Sequence, residues 1–137
     1  MIRSFDPEVF KKAVKGLGLF SESFDYEGWV KNTNNLMYEE DGSVGLLTYE
    51  YPGVYSGHWF FKVRGKEALD LAWRILNEVF TNHNAQAIRG LTKVSLPAAR
   101  WAARRVGFKS YGFLTFPEGE HELFCMTKND FYEKDKN

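Results

Sequence analysis

The stretch HWFFKVRGKEALDLAWRILNEVFTNHNAQAIRGLTKVSLPAARWAARRVGF, residues 58–108, decides the fold. It reads as strand, short turn, long helix, strand, helix. His58 to Val63 is aromatic and β-branched, the composition of a strand. In the following helix Ala68, Leu71, Ala72, Ile75, Leu76, Val79 and Phe80 recur at the spacing of one helical face. Ala85 to Val94 forms the next strand. Ser95 then caps a helix whose Leu96, Ala99, Ala102, Ala103 and Val106 face inward, and Gly107 ends it. The first turn of this unit, Val63-Arg64-Gly65-Lys66-Glu67-Ala68, opens a helix directly after a strand. Free backbone N–H groups and the positive end of the helix dipole meet there, beside two cations, which makes an anion site.

Outward from this unit the pattern stays mixed. Ile2 to Phe5 is a short strand. Asp6-Pro7 starts a helix, with Val9, Phe10, Ala13, Val14 and Leu17 on one face and Gly16 and Gly18 at its end. A second helix runs from Ser23 to about Asn32. Leu36–Glu40 and Ser43–Glu50 are strands joined by Asp41-Gly42, a hairpin pair. Residues 51–57 read as a turn-rich connection, flanked and populated by Tyr49, Tyr51, Tyr55 and Trp59. We expect this loop to border an acceptor or partner surface, opposite the end that holds an anion. Phe108–Phe116 and His121–Met126 are the last strands, and residues 130–137 read as a charged, frayed tail of a single domain spanning 1–137. The order β-α-α-β-β-β-α-β-α-β-β predicts a mixed α/β sheet with helices on both faces.

Composition narrows the function. Of 137 residues, 17% are aromatic, enough for a well-filled core. Lys plus Arg and Asp plus Glu are 18 each, so nothing favours nucleic-acid binding, and low net charge eases homo-oligomer formation or docking of a partner. The single cysteine, Cys125, excludes an intrachain disulfide and fits a reducing, cytoplasmic compartment. Cys125 lies in an apolar strand without a local histidine and reads as a small hydrophobe. With His83 and His121 it shows no metal-ligand spacing. No apolar run has the length of a membrane helix, and the first residues contain no secretory h-region.

The element order, and above all AIRGLTKVSLPAARWAARRVGFKSYG at positions 87–112, resembles the GCN5-related N-acetyltransferase (GNAT) superfamily. More narrowly, VRGKEAL, SLPAARWAARRVGF and the ELFCMTK strand resemble small GNAT-like proteins of tailed bacteriophages, some of them head-assembly or internal-virion proteins. The resemblance implies a mostly antiparallel sheet whose fourth and fifth strands splay apart, with acetyl-CoA or CoA as co-substrate in the gap and no metal. By it, Phe60, Phe61 and Lys62 line the pantetheine arm, and Val63, Arg64, Gly65, Lys66 and Ala68 hold the phosphates. Arg100, one turn before Arg104, reaches toward the 3′-phosphate; the alternative is a solvated helix face.

The same resemblance places a general base near Glu50 and His58, with Glu39 as a further carboxylate, and the acceptor is then a small-molecule or protein amine. The sequence also departs from the family. From Arg64, the loop's glycine place holds Glu67 and its last place Leu69. Leu96 stands where an Asn is usual and Ala103 where a Tyr acts as general acid; Tyr111 and Tyr55 are the available substitutes. These departures open a second reading, a phage assembly protein that kept the fold without the chemistry.

Overall fold

The computed structural model describes residues 1–135, with side chains to residue 133. Its elements are β1 (Ile2–Arg3), α1 (Pro7–Val14), α2 (Tyr26–Lys31), β2 (Leu36–Glu40), β3 (Ser43–Tyr51), β4 (Val54–Phe60), α3 (Gly65–Asn82), β5 (Ala87–Lys93), α4 (Pro97–Val106), β6 (Lys109–Phe116), β7 (Gly119–Thr127) and α5 (Lys128–Asp135). The strands form one sheet in the order β1-β2-β3-β4-β5-β7-β6. Every neighbouring pair is antiparallel except β4 and β5. The expected mixed sheet with helices on both faces is therefore the one observed.

Local chemistry accounts for most of these elements. Asp6 accepts a hydrogen bond from the Glu8 N–H and Pro7 occupies the first helical position, so α1 starts where the sequence says. Asp41 and Gly42 both have positive φ, the geometry of the tight hairpin joining β2 to β3. The apolar stripe of α3 buries Leu71, Ile75, Leu76, Val79 and Phe80 on one face of the sheet, with Leu47, Ile88 and Met126 beneath them. On the other face, α1 and α2 pack Phe10, Val14 and Val30 over Met37, Val44 and Leu46.

Four expectations are corrected. The connection before the aromatic strand is only the Pro52-Gly53 turn, because residues 54–57 pair with β3; β4 thus runs from Val54 and ends at Phe60, short of Val63. Tyr55 then lies opposite Tyr49 and is buried, so these two are framework, and of the three tyrosines Tyr51 alone is exposed beside the turn. Ser95 does not cap α4; Leu96 occupies that position, no side chain supplies a cap, and Pro97 begins the helix. The tail is not frayed from residue 130. Phe131 is 1% exposed and stacks on Phe80, with ring centroids 5.2 Å apart, which holds α5 on the core. Residues 136 and 137 of that expected tail lie outside the described residues.

Candidate active site

The sheet opens where β4 meets β5. The two strands pair only from Val54–Ala87 to Ser56–Arg89. Beyond that point β4 continues along β3 to Phe60, while β5 continues along β7 to Lys93. The strands part at two glycines: a Cβ on Gly90 would stand 3.2 Å from the Gly57 carbonyl oxygen. Residues 57–60 keep an edge of backbone groups with no strand partner on the β5 side.

A cleft of about 440 Å³ occupies this opening. Phe60 and Phe61, Ala68, Leu69 and Ala72 of α3, and Leu96, Ala99, Ala102, Ala103 and Val106 of α4 line it. The apolar face of α4 therefore borders the cleft, with only Val106 also packed on the core, and none of that helix's residues is buried. Trp59 also borders the cleft, seated flat against two glycines: a Cβ would meet its ring at 3.3 Å from Gly45 and at 2.9 Å from Gly57.

The expected phosphate turn stands at the start of α3, beside Ala68. Arg64 occupies the N-cap without a side-chain cap bond, and Gly65 takes φ 59 with open space around it. The uncapped N–H groups of the first turn are the feature that receives an anion. Val63, Arg64, Gly65 and Lys66 form this turn outside the cleft wall itself. Lys62 is turned away; its N–H donates to Ser43 Oγ at 2.8 Å, and its side chain packs beside Gly42. Arg100 is already engaged: its Nε donates to Glu122 Oε1 at 2.9 Å, and Arg104 donates to the other carboxylate oxygen. Glu122 is fully buried. Burial alone would raise its pKa, but hydrogen bonds from Ser110 and Arg100 and the charge of Arg104 outweigh it and hold the carboxyl below its ordinary range. This pair fastens α4 to β7.

On the α1–α2 face, Glu50, Ser56, His58 and Arg89 gather at the base of the opening. Glu50 accepts hydrogen bonds from both Ser56 Oγ and Arg89. Arg89 first, and Ser56 in support, hold the Glu50 carboxyl below its usual range against the opposing effect of burial. His58 lines the cleft. Desolvation pulls its imidazole below the ordinary 6.5, and the Glu50 carboxylate only partly offsets this. Glu39 is on β2, paired with Val44 and Ile2, away from the opening. Tyr55 is buried in the core, and Tyr111 is exposed on β6; neither lines the cleft. Burial first, then Asp130, raises the Cys125 thiol, so it is not an activated nucleophile. Among the described residues no group of His, Cys, Asp and Glu is placed to hold a metal ion.

No family model and no curated protein matches the sequence. Solved structures do. A mutant of the spermidine N-acetyltransferase SpeG from Vibrio cholerae superposes with a TM-score of 0.78 at 14% identity, covering 95% of this chain and 92% of that one. Another mutant of that protein gives 0.74 at 14%, covering 95% and 94%. The structure of AAC(6')-Ib in complex with ribostamycin and coenzyme A gives 0.58 at 16%, covering 72% and 65%. The chain carries the GNAT N-acetyltransferase fold. Of the departures read from the sequence, Leu69, Leu96 and Ala103 line the cleft, so apolar groups stand there.

Sequence reasoning missed Arg89, Ser56, Gly57, Gly90 and Glu122. Gly90 alone carried a local signal, a glycine inside a strand pattern where backbones approach closely. The others acquire a role only from cross-strand neighbours.

Proposed function

We propose that this protein transfers the acetyl group of acetyl-CoA to an amine. The observation that carries the reading is the through-sheet cleft between the parted ends of β4 and β5, with an uncapped helix N-terminus beside it, in a fold shared with N-acetyltransferases. The apolar walls suit a pantetheine arm, and the first turn of α3, with Arg64 and Lys66, suits the pyrophosphate. Phe60, Phe61 and Ala68 would line the arm. Arg100 serves a phosphate only if it leaves Glu122.

In the reaction, His58 takes a proton from the acceptor ammonium, directly or through water. The freed amine attacks the thioester carbon, the N–C bond forms and the C–S bond breaks. Unpaired N–H groups on the 57–60 edge stabilise the charge that develops on the carbonyl oxygen. With Ala103 in place of a tyrosine, the departing thiolate is protonated through water, which takes in exchange the second proton of the attacking nitrogen. Glu50, bonded to Arg89 and Ser56, tunes and orients the site and is not the free base.

The test is thermal stability with coenzyme A and acetyl-CoA. A ligand that binds the native state raises the melting temperature, and Arg64→Glu should remove the rise while leaving the unliganded protein as stable as before. The assembly-protein alternative implied by the phage-type resemblance expects no stabilisation by either ligand.

A further inference from the structure

The strand alternation divides the cleft between the two faces of the sheet. Ile88 of β5 belongs to the core under α3, so Arg89, Leu91 and Lys93 point to the opposite face. His58 shares that face, because Phe60, two residues on, packs with the α1–α2 cluster. His121 of β7 pairs with Lys93, and Leu19, from the segment between α1 and α2, completes this side.

This side of the cleft is cationic and apolar. No Asp or Glu is among the residues that line the cleft. The charge of Arg89 is met by Glu50. Lys93 is exposed and has no ion-pair partner among the described residues. His58 and Lys93 both line the cleft, beyond the last β4–β5 pair at Ser56–Arg89, so the two face the same opening from the parted strands.

Resting on the acetyl-transfer reading, we infer that the acceptor is an amine carrying a carboxylate a few atoms away on an apolar frame, as in an apolar amino acid, and that Lys93 receives the carboxylate. A polyamine would bring further positive charges against Lys93, and the nearby carboxylate, Glu50, is already bound by Arg89 and Ser56, an arrangement that selects against it. A zwitterionic amine presents its ammonium to His58 and its anion to Lys93, and Leu19 and Leu91 cover its side chain.

The experiment compares leucine, isoamylamine (the same frame without the carboxylate) and spermidine as acceptors, in the wild type and in Lys93→Ala. Leucine should exceed both others in kcat/KM by about tenfold or more, since a site built for a polar group rejects the analogue lacking it. Lys93→Ala should erase that preference through the KM for leucine and leave the KM for acetyl-CoA unchanged. Preference for isoamylamine or spermidine, or a leucine preference that survives Lys93→Ala, overturns the inference. If no amine turns over, calorimetry of leucine with the coenzyme A complex decides: heat that Lys93→Ala abolishes supports it, and no heat overturns it. Absence of stabilisation by coenzyme A is a separate result, which removes the acetyl-transfer reading and this inference with it.

Discussion

As the proposed base, His58 should be neutral at pH 7, as an ordinary imidazole mostly is, and its partial desolvation in the cleft favours the neutral form further. Its pKa in the folded protein lies below 6.5, so activity should be complete at neutral pH and fall as pH drops through that lower value. We expect the acid limb of kcat/KM to have an apparent pKa below the ordinary histidine value. His58→Gln should lower turnover by about 10²-fold or more and flatten this limb. Retention of the limb in His58→Gln would move the base elsewhere. A second residue-scale expectation concerns Trp59. Because a Cβ at Gly57 would stand 2.9 Å from its ring, Gly57→Ala should displace the indole and alter its fluorescence. His58 could be singled out in the sequence as a strand histidine near a turn. Its neighbours Ser56 and Arg89 could not, since they belong to different strands and meet only through pairing.

At the scale of elements, α4 is a cleft wall with little burial of its own, tied down by Arg100 and Arg104 on Glu122. Glu122→Gln would leave two guanidinium groups facing a neutral amide. The melting temperature should fall and the KM for acetyl-CoA should rise together, whereas Arg105→Ala, on the exposed side of the same helix, should change neither. The periodicity of α4 was legible in the sequence, but not which surface its apolar face would meet. An open cleft and a core accept the same alanine-rich stripe. The C-terminal helix α5 was missed for a related reason: its charged sequence has no apolar stripe, only the adjacent aromatics Phe131, which is buried, and Tyr132, which packs beside it. Phe131→Ala should cost about 3–5 kcal/mol in chemical denaturation, the range for emptying a buried aromatic site. A loss near zero would restore the frayed tail.

Across the whole molecule, the face of α3 is joined to the sheet edge by charge as well as packing. Arg74 donates two hydrogen bonds of 2.7 Å to Glu40, and the N-terminal ammonium adds a third at 3.0 Å. The Arg74 hydrogen bonds above all, then the N-terminus, lower the Glu40 pKa from 4.5 to about 2. A carboxylate depressed in the folded state contributes stability that is present above pH 4.5 and is lost as pH falls toward 2. Denaturation followed from pH 5 to about pH 2 should show this loss, with a shallower slope in Glu40→Gln. An unchanged slope would assign acid sensitivity to other carboxylates. No helix among the described residues is long and apolar enough to cross a membrane.

The amino-acid sequence by itself determined the succession of elements from β1 to β7, the hairpin at Asp41-Gly42, the start of α1 at Asp6-Pro7 and the buried stripe of α3. These depend on local backbone preference and on periodicity, which neighbouring residues carry among themselves. Only the tertiary structure decided that β4 and β5 part after three pairs, that Gly57 and Gly90 meet at that point, and that Glu50 is bound by Ser56 and Arg89. It also decided that Arg100 turns to a buried carboxylate and that Lys93 stands without an ion partner among the described residues. The physical reason is that strand pairing joins residues distant along the chain. The charge that each side chain meets, and hence its pKa and its freedom to bind, is set by those partners and not by its neighbours in sequence.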